Sequence, residues 1–585
     1  MQASLQRLFE PRSIAIVGAS PEPKKIPGMI VDFLRKSGYA GKIFPVNPRY
    51  EKIHDYTCYP NVDALPETPD LVVVVIPVAA AFDAVEAAAK RGVPFCLLMS
   101  GGFGEGRTGD AGRARHVRLL EVCRASGMHV VGPNTVGMVN FRHKMPLTFA
   151  DWYGRDTGHR GGVAIVTHSG SVGGLIFSSL QLNGIGVDYW VGLGNEATLE
   201  TADFISHFST VPDVHTVICY MEGVQNGRKF MAAAEQARKA GKRVVVVKAG
   251  DHPESVRSTL SHTGKNPSFG DVYAGALRQC GVIQAKSLAE LAYVMTLITA
   301  VGDRLGSRIG IISASGGANS LIADHVVNAG LALPELPDAL QQQLNAIIPE
   351  YGASQNPVDL SADVISRGEI LHGTLALIRD DSAVDVWLIF GRPIIDRYAD
   401  ALIAFAQSSS KAMVVCCGVP LAPEMHERLQ QHNIAVLADP ELCLRALARI
   451  QRAASAHGAA LKIDAIELEN SAGGKPVLSV AIERDRDFGA VLSLSAAPTF
   501  GRPAQRIVRV LPATVLDLED AVLELHRVQG GLPAAADDIV AALYSLTCLH
   551  ADAVTIKAAA HIDLTVEGGV LRRCAPDRAP ESRTA

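Results

Sequence analysis

Short apolar runs alternate with stretches of helical periodicity over most of this chain. The runs at 13–17, 42–46, 71–76, 94–99 and 129–131 are rich in Val, Ile and Leu without polar alternation. Such runs suit strands covered on both faces. Helical patterns fill the gaps, as at 79–91 and 113–126, so the first block is predicted to be a doubly wound sheet. A loop-like stretch, 151–161, closes it. A second block places strands at 163–166, 186–190, 216–220 and 243–247, with a closing helix over 286–301. A third has strands at 309–312, 384–390 and 412–416 and ends in a helix at 440–455. After a linker at 456–463 the character changes: 477–483 and 489–494 alternate like paired strands, 516–528 is helical, and 576–585 reads as a disordered tail. The expected domains are 1–150, 161–302, 306–456 and 464–575.

Two strand ends repeat one local design. Val163-Ala164-Ile165-Val166 runs into Thr167-His168-Ser169-Gly170-Ser171, and Ile309-Gly310-Ile311-Ile312 runs into Ser313-Ala314-Ser315-Gly316-Gly317. Each is a buried strand, a turn of small hydroxyl and glycine residues, and a helix start. Unpaired N–H groups and the helix dipole favour a phosphate or carboxylate there. Ser169, Gly170, Ser171, Ser315, Gly316 and Gly317 are therefore candidate phosphate-binding residues, and two cradles suggest one anionic group held from two sides.

Composition narrows the function classes. At 585 residues the chain has room for three or four domains. A formal net charge of −5 gives no electrostatic case for nucleic acid or an anionic membrane. The ten cysteines show no metal-ligand spacing and fit reduced thiols, so no metal site is assigned. Residues 1–12 lack a long apolar core and 71–78 is too short to span a bilayer. A cytoplasmic location is expected.

The first block gathers small, Pro and polar residues at its strand ends, where open α/β sheets bind ligands. Gly18-Ala19-Ser20 follows the first strand, with Ser20 where a dinucleotide fingerprint would need its second glycine. Pro45-Val46-Asn47-Pro48, Ile76-Pro77, Ser100-Gly101-Gly102-Phe103-Gly104-Glu105 and Gly132-Pro133-Asn134 end the others. In this order the set resembles the CoA-binding domain of the NDP-forming acyl-CoA synthetases, relatives of succinyl-CoA synthetase and of ADP-forming acetyl-CoA synthetase. The resemblance implies a Rossmann-like CoA-binding domain followed by two flavodoxin-like domains. It puts Gly18, Ala19 and Ser20 at the CoA phosphates, and Asn47, Pro77, Gly102, Phe103 and Asn134 along the adenosine and pantetheine path. Lys24, Lys25 and Lys42 are candidate phosphate partners or ordinary solvated lysines.

Ser261-His262-Thr263-Gly264 resembles the family's phosphohistidine loop, and Tyr220-Met221-Glu222-Gly223 ends a strand where the family has a glutamate. By that resemblance His262 carries the phosphoryl group and Glu222 fixes its tautomer. Gly194-Asn195 and Asp203 also match the family pattern, with a turn and a helix-surface acid as the plain alternatives. After His262 the chain departs from the pattern in Lys265-Asn266-Pro267-Ser268-Phe269.

Arg484-Asp485-Arg486-Asp487-Phe488-Gly489 and His561-Ile562-Asp563-Leu564 resemble parts of the family's ATP-grasp domain. Ser495-Ala496-Ala497-Pro498 stands in place of a glycine-rich stretch, and the nucleotide-binding half has no counterpart, so the last block is expected to be a small α+β ATP-grasp remnant. The implied activity is acid + CoA + ATP ⇌ acyl-CoA + ADP + phosphate. The resemblance implies that the chain is such a synthetase or its CoA-binding subunit, with CoA expected to bind here and ATP/ADP and Mg²⁺ expected to be taken by an ATP-grasp partner chain. The alternative is a CoA or acyl-CoA binding scaffold or regulator without ligase activity; carbamoyl transfer is a third. The expected ligand is a small carboxylic acid or its acyl-CoA, which the sequence does not narrow further, and the family's habit implies an oligomer.

Overall fold

The computed structural model describes residues 5–154, 161–252, 255, 270–455, 470–471, 478–496, 506–511, 513, 515–529, 539–540, 543, 560–567 and 570–574. Strands β1 (Ser13–Val17), β2 (Lys42–Val46), β3 (Leu71–Val74), β4 (Phe95–Leu98) and β5 (His129–Val131) form a parallel sheet in the order β2-β1-β3-β4-β5. Every residue of β1, β3 and β4 is buried, which accounts for the unbroken apolar runs. The strand order reverses between β1 and β3, so the sheet's ligand crevice lies beyond their carboxyl ends. Helix α1 (Val78–Lys90) starts at that edge.

The second sheet is wider than its own stretch of sequence suggests. Its parallel strands are β8 (Val163–Thr167), β9 (Val187–Gly192), β10 (Thr216–Met221), β11 (Arg243–Lys248) and β12 (Ile283–Ala285). To these a hairpin of β6 (Gly137–Asn140) and β7 (Met145–Thr148) is added, antiparallel to β9, giving β12-β11-β10-β8-β9-β6-β7. This hairpin follows the first block in sequence yet completes the second sheet. Each of its strands has four residues, all buried, so no polar–apolar alternation marks it. The chain then passes through a 3₁₀ turn at Asp151–Gly154. Helix α2 (Gly170–Leu182) follows β8, and α3 (Gly270–Gln279) precedes β12.

The third sheet is parallel, with β13 (Ile309–Ser313), β14 (Val358–Asp359), β15 (Val386–Phe390), β16 (Ala412–Cys416) and β17 (Ala435–Leu437) in the order β14-β13-β15-β16-β17. Helix α4 (Gly316–Asn328) follows β13. The second and third units share a core through the helices Leu288–Val301 and Pro440–Ser455, tied by Arg449 Nε to the fully buried Glu290 at 3.2 Å.

The last sheet holds β18 (Asn470–Ser471), β19 (Leu478–Asp485), β20 (Gly489–Ala496), β21 (Arg506–Val510), β22 (Ala560–Glu567) and β23 (Val570–Cys574), ordered β18-β23-β22-β19-β20-β21. The helix Val515–Gln529 accompanies it. It docks on the second unit. Gly275 of α3 lies so close to β21 that a Cβ there would stand 2.0 Å from Val508 O. Gln279 exchanges hydrogen bonds with both backbone groups of Val510. Phe488 is buried against Tyr273, edge to face at 5.0 Å, and joins the core that unites the first and second sheets. Among the described residues no helix is long and apolar enough to cross a membrane, and all eight described cysteine side chains are free and buried.

Candidate functional site

The first-block residues assemble at the crevice. Gly18 adopts φ +96°, and a Cβ there would sit 2.3 Å from Ile76 Cγ2, so only glycine lets the turn after β1 approach the end of β3. Asn47 donates to Ala19 O at 2.8 Å and fixes that turn, while Ser20 Oγ accepts from Glu22 N at 3.2 Å. Pro77 stands exposed before α1 across the crevice. The loops after β1, β2 and β3, which carry Gly18, Ala19, Ser20, Asn47 and Pro77, thus lie together at the carboxyl edge of the sheet. Lys25 and Lys42 are engaged by Glu22 and Glu67.

Two expected contacts take another form. Glu105 accepts from the N–H groups of both Gly102 and Phe103, the latter at 2.9 Å, so a carboxylate already fills that backbone nest. The Phe103 ring is 2% exposed and belongs to the first unit's core, which makes it a packing residue rather than a lining one. Glu105 also accepts from Asn195 Nδ2 at 2.8 Å, and Asn134 Nδ2 reaches Asn195 Oδ1 at 3.4 Å. Asn195 N donates to Pro133 O at 2.9 Å, and a Cβ on Gly194 would lie 2.2 Å from the same oxygen. The loops ending β5 and β9 therefore interlock, and Gly194-Asn195 serves as the clasp.

Both Ser-Gly turns open into N-capped helices, and they share their wiring. The Thr167 hydroxyl donates to Ser169 O at 2.7 Å and accepts from Ser169 N at 3.1 Å; the Ser313 hydroxyl lies 3.1 Å from Ser315 O and accepts from Ser315 N at 3.0 Å. Ser169 and Ser315 are the N-caps, accepting from Val172 N and Ala318 N. Their surroundings differ. Ser169, Gly170 and Ser171 line a cavity of about 220 Å³ together with Asn134, His168 and Asn195, none of them acidic. At the other helix start, the Asp359 carboxylate stands where a Cβ on Gly316 would meet it at 3.1 Å, so an anion beside Ser315, Gly316 and Gly317 meets a negative neighbour.

His168 links the first cradle to the strand beside it. Its Nδ1 accepts from Glu222 N at 3.2 Å, which leaves Nε2–H to donate to Glu196 Oε1 at 3.0 Å. Ring and carboxylate are each 1% exposed, and Thr201 gives Glu196 two further bonds at 2.8 Å. Both ring nitrogens are engaged, so His168 is a strut and not a phosphoryl acceptor. Glu222, at the carboxyl end of β10, is buried directly behind this strut. His262 lies outside the described residues. Asp203 completes a capping box with Glu200 and pairs with Lys229 at 2.8 Å, which is the helix-surface role. His168, Glu196, Thr201 and Glu105 were not singled out from the sequence. His168 carried a signal by sitting inside the cradle motif, whereas Glu196 meets it only through folding.

Glu222's loop also touches the last unit. Val224 N donates to Tyr273 OH at 2.9 Å, which donates to Asp487 Oδ2 at 2.8 Å, and Gly227 N donates to Asp487 O at 2.8 Å. Beneath, Lys248 Nζ lies 4.4 Å from the Tyr273 ring centroid and donates to Ala249 O and Gly250 O at 3.0 Å; burial lowers its pKa.

The chain thus sets a doubly wound parallel sheet before two further α/β units, each with a Ser-Gly helix start after a central strand. Family models match in that order: a CoA binding domain over residues 12–140, a succinyl-CoA ligase like flavodoxin domain over 160–298 and a ligase-CoA domain over 309–389. The chain is 31% identical over 383 residues to the alpha subunit of ADP-forming acetate–CoA ligase II of Pyrococcus furiosus, covering 81% of it. It is 32% identical over 450 residues to ADP-forming acetate–CoA ligase I of Archaeoglobus fulgidus, but spans only 63% of that protein's length. A solved acetyl-coenzyme A synthetase 1 of Ca. Korarchaeum cryptofilum, in complex with phosphate and ADP, matches 77% of this chain and 97% of its own at TM-score 0.67 and 26% identity. The chain belongs to the ADP-forming acyl-CoA synthetase family.

Proposed function

We propose that this chain is the CoA-binding, phosphoryl-carrying part of an acid–CoA ligase catalysing acid + CoA + ATP ⇌ acyl-CoA + ADP + phosphate. The observation that carries this is the cavity in which Asn134, from the CoA-binding unit, meets the Ser169–Gly170–Ser171 cradle. A phosphoryl group on His262 would rest against those N–H groups, where the helix dipole stabilises about two negative charges. Glu222 would accept a hydrogen bond from the imidazole and leave its other nitrogen as nucleophile. An oxygen of the acid then attacks phosphorus, the P–N bond breaks, and acyl phosphate forms with His262 restored. The CoA thiolate attacks the acyl carbon and expels phosphate, its thiol proton passing to solvent. CoA would be held by Gly18, Ala19, Ser20, Asn47 and Pro77.

ATP/ADP and Mg²⁺ are assigned to an ATP-grasp partner chain, a division that fits a relative being named as an alpha subunit, and the assembled enzyme is proposed to work in the cytoplasm as an oligomer. The last unit supports this division: Asp487 and Phe488, from its ATP-grasp-like turn, are spent on docking to the second unit. Incubation with ³²P-labelled acyl phosphate or phosphate plus acyl-CoA should give a base-stable, acid-labile label on the wild-type chain. His262→Asn should abolish it and Glu222→Gln reduce it at least tenfold. Absence of label under every mixture, with CoA still bound, would establish the scaffold reading instead.

A further inference from the structure

A second cavity, of about 650 Å³, opens beside the anion cradle. Val136, Gly170 and Ser171 line both spaces, so the two adjoin at the start of α2. From there the wall turns apolar, with Phe149, Trp152 and Leu175. Ser171, Gly174, Leu175 and Ser178 follow one another at i, i+3, i+4 and i+7, which presents one face of α2 to the space. Leu175, an apolar side chain, is 60% exposed. Trp152 makes the wall firm. It is 8% exposed, lies 4.4 Å from the Phe177 ring centroid and 5.2 Å from that of Trp190, and fits only because Gly174 has no side chain: a Cβ there would stand 2.6 Å from Trp152 Cδ1. Asp151 lines the same space and is its one charged lining residue among those described.

We propose that this cavity takes the tail of the substrate acid, and that the acid is a monocarboxylate with an aryl or comparably bulky apolar group. The proposal rests on the ligase reading only in assigning the reacting carboxyl to the cradle. A carboxylate or acyl phosphate at Gly170 and Ser171 has its tail at the shared wall, and the continuation of that wall is apolar. The methyl group of acetate needs little more than the ~30 Å³ share of one water molecule, whereas spaces of several hundred Å³ suit drug-sized ligands. The wall at Phe149, Trp152 and Leu175 offers no hydrogen-bonding partner to a second carboxylate on the tail, which separates this site from one built for a dicarboxylic acid.

Binding of 3-phenylpropanoate, acetate and succinate to the purified full chain, followed by ligand NMR line broadening, tests this without turnover. Phenylpropanoate should bind at least tenfold more tightly than acetate or succinate. Leu175→Glu, on an exposed position, and Ser178→Phe, which fills the space, should each weaken phenylpropanoate at least tenfold and leave acetate and CoA binding within twofold. Equal binding of acetate and phenylpropanoate, or variants that bind phenylpropanoate like wild type, would overturn the assignment. The ³²P label on His262 is read separately. Labelled chain without aryl preference sinks the tail pocket alone, and aryl preference without label sinks the ligase reading alone.

Discussion

His168 shows how much one side chain can hold in place. Its ring is saturated by Glu222 N on one side and Glu196 on the other, so the Ser-Gly turn, the strand end behind it and the helix start at Thr201 are tied together. His168→Ala leaves the Glu196 carboxylate buried with one donor fewer, at a cost of about 2–3 kcal/mol. The expected readout is a lower first transition in a thermal melt. A second histidine supplies a pH dependence. His207 stacks on Phe9 at 4.9 Å, and burial pushes its pKa down to about 4 from 6.5. The unfolded chain therefore binds a proton that the folded chain refuses between those values. Stability is fully present above pH 6.5 and is lost as pH falls toward 4, by about 2 kcal/mol after allowing for the ring's partial exposure. Urea midpoints of wild type and His207→Phe should diverge at pH 7 less than at pH 5, with the variant showing the flatter profile.

At the scale of elements, strand-turn-helix units were legible because their physics is local. The Ser-Gly turns after β8 and β13 announced themselves through hydroxyl and glycine residues, and both formed N-caps with matching wiring. What differed was tertiary: Asp359 arrives at the second helix start from β14, a two-residue strand too short to have a period. The hairpin β6–β7 escaped for a related reason, since four-residue strands buried on both faces look like any apolar patch. Phe103 stands within a loop motif, yet its ring turns to the core while Glu105 takes the backbone groups expected to face a ligand. Motif spelling fixes the turn and not which way each side chain goes. The inequality of the cradles has a measurable result. Ser169→Ala and Ser315→Ala should each destabilise by about 1 kcal/mol as lost caps. Only Ser169→Ala should also weaken inorganic phosphate binding, by at least fivefold in calorimetric titration, because only that start lacks an acidic neighbour in its lining.

Across the whole molecule, the second sheet is the hub. Its core is continuous with the first sheet and with Phe488, Val491, Val508 and Val510 of the last, and a further core joins it to the third. Phe488→Ala should cost about 3–4 kcal/mol at that junction. Limited proteolysis should then release the last unit at protease concentrations that leave the wild-type chain intact.

That junction has a corollary for how the chain can be cut. The last sheet and its helix are fastened to the hub by the α3–β21 contact, the Arg278–Asp520 ion pair and the hydrogen bond from the Tyr273 hydroxyl to Asp487, while their covalent attachment runs through the third unit. Expressed as two separate polypeptides divided after residue 455, the halves would find one another and co-elute, so a gene fission there would leave the assembly standing.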